Sequence, residues 1–130
     1  MAAIAVSAIT AYGYTDDDLY RMSHLINGEA GSCSRDMMLS VGSVVLNRMA
    51  DERFPDTIAD VIFQPGQYSC TWDGNYDREP SEEAVEVAKE LLENGPAIDA
   101  SVVWQAEFPQ GRGVYDTIGS PWGTTMYFCY

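Results

Sequence analysis

Apolar residues recur at helical spacing through the first part of the chain, and the pattern then changes to short strand-like runs. Leu19, Met22 and Ile26 fall at i, i+3 and i+7 and mark one helical face. Thr15 ahead of Asp16, Asp17 and Asp18 supplies an N-cap with acids set against the helix dipole, and the helix is expected to end near Gly28. A second helix is predicted over 34–53, with Met38, Val41, Val45 and Met49 as its stripe and Pro55 as its stop. A helical turn over 57–62 leads into an irregular stretch, 63–80, whose Pro-Gly and Asp-Gly pairs are turn signals. A third helix opens at Ser81, carries Val85, Ala88 and Leu92 on one face, and closes at Gly95-Pro96. Strand-like runs follow at 102–105, 113–118 and 124–130, separated by Gly and Pro. Helices first and a small antiparallel sheet last predict an α+β domain.

Composition narrows the function before any motif does. The chain has 130 residues, with 7 basic against 20 acidic side chains and a formal charge of −13. A single domain is expected at that length. Nucleic acid and anionic membranes both need Lys and Arg to neutralise phosphate, so neither is an expected partner. Lys89 is the one lysine, and no run of residues has the apolar length of a bilayer span. Residues 1–14 are expected to be an N-terminal arm or linker remnant, and 15–130 the functional domain. The first eleven residues lack the basic start of a secretory signal.

Most carboxylates lie in charged runs that suit solvated helix faces. Glu29 differs: Gly28 precedes it, and Ala30 and Gly31 follow, so backbone or substrate can approach closely. A carboxyl at the end of a core helix is placed for a raised pKa and general-acid work. The long 63–80 stretch is the candidate substrate contact. There Gln64, Gln67 and Ser69 offer side-chain hydrogen bonds, while Tyr68 and Trp72 offer flat ring faces. Tyr127, on the last strand, joins them as a candidate. Alternation places Met126, Phe128 and Tyr130 on one face of that strand, and Thr125, Tyr127 and Cys129 on the other.

Three further groups offer chemistry that their contexts do not support. Asp73 to Asp77 begins like a calcium loop, but Arg78 and Ala84 stand where that loop needs Gly and Glu. His24, the only histidine, sits inside a helix beside Ser23 and reads as a structural or surface histidine. The cysteines, Cys33, Cys70 and Cys129, lack zinc-site spacing; a Cys33–Cys70 bridge would pin the 63–80 loop beside Glu29, and Cys129 reads as a small buried hydrophobe. Neither metal nor cofactor is expected, and a monomer is.

Four ordered motifs carry a resemblance over nearly the whole chain after Thr15. Asn27-Gly28-Glu29-Ala30, the 44–48 segment VVLNR, the 54–58 segment FPDTI and the 61–69 segment VIFQPGQYS resemble the spore cortex-lytic, cell-wall hydrolase family. The 103–125 segment matches that family only loosely. The resemblance implies a lysozyme-like domain acting on peptidoglycan, outside the cell, in the wall or the spore cortex. It also implies Glu29 as the catalytic acid and lytic transglycosylase chemistry at the bond between N-acetylmuramic acid and N-acetylglucosamine. Asn47 and Arg48 belong to its pattern and are read as structural. A hydrolytic muramidase, which would draw a second carboxylate from Asp36, Asp73 or Asp77, is the alternative reaction. A non-catalytic glycan-binding module is the alternative class. A surface of this charge does not draw the chain to an anionic wall, but a negative field at the cleft would help keep Glu29 protonated.

Overall fold

The computed structural model describes residues 13–130. Helix α1 spans Asp16–Ala30, α2 Arg35–Met49, α3 Ile58–Ile62, α4 Cys70–Asp73 and α5 Glu82–Asn94, with a 3-10 turn at Asn75–Asp77 ahead of α5. Strands β1 (Trp104–Ala106), β2 (Val114–Gly119) and β3 (Thr125–Cys129) close the chain. The α+β order predicted from the pattern is the order observed. Most of the expected N-terminal arm lies outside the described residues. Tyr14 is described, packs on the helical core, and donates through its hydroxyl to Glu93 at 3.2 Å.

Each long helix is started by the side chain its sequence offers. Thr15 and Asp18 form a reciprocal capping box, with Thr15 Oγ1 accepting from the Asp18 N–H at 3.1 Å and Asp18 Oδ2 from the Thr15 N–H at 3.0 Å. Ser34 accepts from the Met37 N–H to begin α2, and Ser81 from the Ala84 N–H to begin α5. Helix α1 does not stop at Gly28; it continues to Ala30, with its cap at Gly31. Gly28 serves close packing instead, because Cys70 of α4 lies against it. Gly31 is held so near the Asn27 carbonyl that an added Cβ would fall 2.5 Å from it.

Helix α2 is shorter than the pattern predicts and more deeply buried. It ends at Met49 because Asp51 caps the next turn, accepting from the Arg53 N–H and guanidinium at 2.8–2.9 Å. From Ser40 to Met49 every residue is buried, so the predicted stripe is part of a helix surrounded by protein. Its polar members are tied down: Ser43 Oγ accepts from the Ala97 N–H at 2.9 Å, and Asn47 donates to the Asp99 and Val102 carbonyls at 2.8 and 2.9 Å. The buried face of α5 is Ala84, Val87, Ala88, Leu91 and Leu92, with Val85 only half-buried at its margin. Full burial of each larger apolar side chain stabilises by about 1.5–3 kcal/mol.

The sheet has the order β1-β3-β2, with both pairings antiparallel and an irregular register between Val114 and Asp116. Phe128 and Cys129 are both buried, so the predicted two-sided alternation gives way to burial on both faces at the end of β3. Phe128 and Val102 belong to the same core as α1, α2 and α5, which anchors the sheet on the helices. All three cysteines are free thiols, so the expected Cys33–Cys70 bridge is absent. Cys70 points to Gly28 of α1 instead.

Candidate active site

The Asn27-Gly28-Glu29-Ala30 segment forms the last turn of α1, and each residue has a separate task. Ala30 is buried in the core. Asn27 Oδ1 accepts from the Ser81 N–H at 3.1 Å, which joins the end of α1 to the start of α5. Gly28 admits Cys70. Glu29 is left facing a cleft of about 410 Å³, shared with Asn75, Arg78, Glu79 and Trp122.

Burial raises the Glu29 carboxyl from 4.5 to about 7, and the charge of Asp73 adds to the rise. Its place in the last turn of a helix adds the negative end of the dipole on the same side of the balance. The negative field expected at the cleft is therefore assigned to Asp73 in α4. The same surroundings push the Cys70 thiol up to about 12, through burial first and then Glu29 and Asp73. A carboxylic acid that keeps its proton near neutrality and opens on a cleft is equipped to donate that proton.

The predicted contact residues of 63–80 distribute differently. Tyr68 is 1% exposed, so the expectation that its ring face meets a sugar fails. The Arg48 guanidinium lies 5.4 Å from that ring, and burial pushes the Tyr68 hydroxyl up to about 12. Gln67 is exposed, but its Oε1 accepts from Arg48 Nη1 at 3.1 Å. Gln64 is half-buried, Ser69 is exposed at the start of α4, and Trp72 is 63% exposed. Tyr127 pairs with Ala106 and Thr117 within the sheet. None of these six lines the Glu29 cleft.

Trp122, Arg78 and Asn75, which do line the cleft, are not among the sequence candidates. Trp122 is at the tip of the β2–β3 hairpin, in the segment whose family likeness is loose; the only local signal is a Pro-Trp-Gly turn. Of the remaining carboxylates, Asp36 lines a different groove, between α2 and β2, and Asp77 is exposed on the 3-10 turn. His24 is buried and structural: Nδ1 donates to the Tyr76 carbonyl at 2.6 Å, and the ring stacks on Tyr20 at 3.9 Å between centroids. Asn47 and Arg48 are structural too, but they hold mainly the 99–103 segment.

Fold and site together define a lysozyme-like domain with one proton-holding glutamate in its cleft. The sequence model of the Cell Wall Hydrolase family matches residues 33–110, and the chain belongs to that family. The spore cortex-lytic enzyme of Oceanobacillus iheyensis is 32% identical over 114 residues, which are 85% of this chain and 37% of that protein. That of Bacillus subtilis is 29% identical over 122 residues, 91% of this chain and 36% of that protein. The chain thus spans about a third of the length of these curated relatives. The catalytic domain of Bacillus cereus SleB has the same fold, with a TM-score of 0.71 at 21% identity, covering 91% of this chain and 93% of that one. The catalytic domain of the germination-specific lytic transglycosylase SleB of Bacillus anthracis superposes with the same score, covering 91% and 98%.

Proposed function

We propose that the chain cleaves peptidoglycan glycan strands at the bond between N-acetylmuramic acid and N-acetylglucosamine, as a lytic transglycosylase with Glu29 as acid and base. The observation that carries this reading is the Glu29 carboxyl itself, half-buried in the wall of a cleft and holding its proton to about pH 7. The names of the spore cortex-lytic relatives support the substrate class, and with it a place of action in wall or cortex peptidoglycan. Glu29 gives its proton to the glycosidic oxygen as the bond from C1 of the muramoyl residue breaks. The carboxylate so formed takes the proton of that residue's C6 hydroxyl while the C6 oxygen bonds to C1. The product carries a 1,6-anhydro end, Glu29 regains its proton, and no water is consumed.

Hydrolysis is the second reading, favoured by one observation: the charge of Asp73 acts on Glu29. A second carboxylate is what hydrolytic glycosidases use to activate water or to attack C1. Mass spectrometry of released muropeptides separates the readings, since an anhydro end is lighter by one water than a reducing end. Anhydro ends support transglycosylation, and reducing ends support hydrolysis, with Glu29 still the acid and Asp73 the candidate second carboxylate. No release from intact peptidoglycan overturns both.

A further inference from the structure

The cleft that Glu29 lines is also lined by two side chains that the proton chemistry above does not use. Trp122 is 60% exposed and, unlike the equally exposed Trp72, lines the cleft. Its turn is not slack: the Ser120 N–H donates to the Thr124 carbonyl at 2.8 Å, and the Gly123 N–H to the Ser120 carbonyl at 3.2 Å. The Thr124 N–H also reaches Ser120 Oγ at 3.1 Å, and the two hydroxyls meet at 2.7 Å. An aromatic ring held out on a tied hairpin, over a polar cleft, is a stacking platform for a sugar ring.

Arg78 is the second. The chain has 20 carboxylates for 7 bases. Arg35 pairs with Glu90 and Arg53 with Asp51, and these are the ion pairs among the described residues. Arg78 lines the cleft without such a partner, directly after the 3-10 turn, whose last bond runs from its own N–H to the Asn75 carbonyl. A guanidinium fork left unpaired amid so many acids presents two parallel donors to a carboxylate arriving from outside.

We propose that Trp122 and Arg78 form a specificity subsite for a carboxylate-bearing sugar of the glycan strand, Trp122 stacking on the ring and Arg78 binding the carboxylate. The inference rests on the glycan-cleaving reading of Glu29. The carboxylate has two sources in such a strand, the lactyl ether of the muramoyl residue itself and the peptide attached through it.

Binding to the Glu29→Gln protein by titration calorimetry tests this without turnover. Three probes serve: a muramoyl tetrasaccharide with free lactyl carboxylates, the same strand bearing peptides, and chitotetraose, which has no carboxylate. Trp122→Ala is expected to weaken all three about tenfold. Arg78→Gln is expected to weaken a carboxylate probe about tenfold and to leave chitotetraose unchanged, and the more sensitive probe identifies the source. Both side chains are exposed, so thermal midpoints should match the parent's. Equal loss on chitotetraose for Arg78→Gln, no loss for Trp122→Ala, or no binding of any probe overturns the subsite. Anhydro products from the unmodified protein would then still stand for Glu29.

Discussion

A methyl group placed on Gly28 would lie 2.9 Å from Cβ of Cys70 and 3.1 Å from its Sγ, so only the Cys70 side chain fits between α1 and α4. The contact falls one residue before Glu29, and Tyr76 contributes a backbone nitrogen 3.3 Å from the same point. Two of the three neighbours belong to the main chain or to a Cβ, which cannot swing aside. Gly28→Ala is therefore expected to cost about 1–3 kcal/mol, seen as a lower urea midpoint with an unchanged slope. It should also move the alkaline limb of the activity profile to lower pH, because displacing α4 carries the Asp73 charge away from Glu29.

Glu29→Gln should abolish muropeptide release and at the same time stabilise the fold above neutrality. The unfolded chain ionises Glu29 near 4.5, whereas the folded chain holds that proton to about 7. Between those values the folded state binds more protons, so stability falls as pH rises, and the loss is complete above about pH 7. The loss is about 3 kcal/mol, and a glutamine side chain never incurs it. Urea unfolding should give the Glu29→Gln variant and the parent protein the same stability at pH 4, and the variant the advantage at pH 8. Equal stabilities at both pH values would place Glu29 in solvent.

Activity of the parent protein should fall as pH rises through about 7, where Glu29 loses the proton it must donate. Asp73→Asn removes the charge that adds to the effect of burial, so this alkaline limb should move to lower pH with the maximal rate largely kept. A fall in that rate of roughly 100-fold or more would instead identify Asp73 as a base that activates water.

Arg48 is buried in α2, donates to the Val103 carbonyl at 2.8 Å, and lies 4.9 Å from the Phe54 ring and 5.5 Å from that of Trp104. Lysine keeps the charge but not the flat fork that reaches Val103 and Gln67 together. Arg48→Lys is expected to cost about 2 kcal/mol and to lower the thermal midpoint by roughly 5–10 °C in calorimetry.

Local chemistry is the legible part of this chain. The capping residues Thr15, Ser34, Thr57 and Ser81 each bond within their own first turn, so adjacent sequence suffices to place them. Glu29 stands out for a similar reason, through the small residues around it. Gly28 reads from sequence as a helix end because its partner, Cys70, is distant along the chain. Tyr68 reads as a free ring face because 63–80 lacks periodicity, yet Arg48 draws that ring into the core. Trp122 escapes notice because what makes it matter is position: a hairpin carries it to a cleft begun near the other end of the chain.

The Arg48–Val103 bond has a consequence for how the two cleft walls are coupled. The Val103 N–H donates to the Cys129 carbonyl, and Cys129 belongs to the strand that runs back to the Trp122 turn. The hairpin thus hangs from the helical body by its base, while the causes that hold the Glu29 proton, burial and Asp73, belong to the helical half. The Glu29 carboxyl and the Trp122 ring proposed as its sugar platform are in this sense separate parts. A hairpin of another sequence, anchored at the same base, would retarget the cleft and leave its acid as it is.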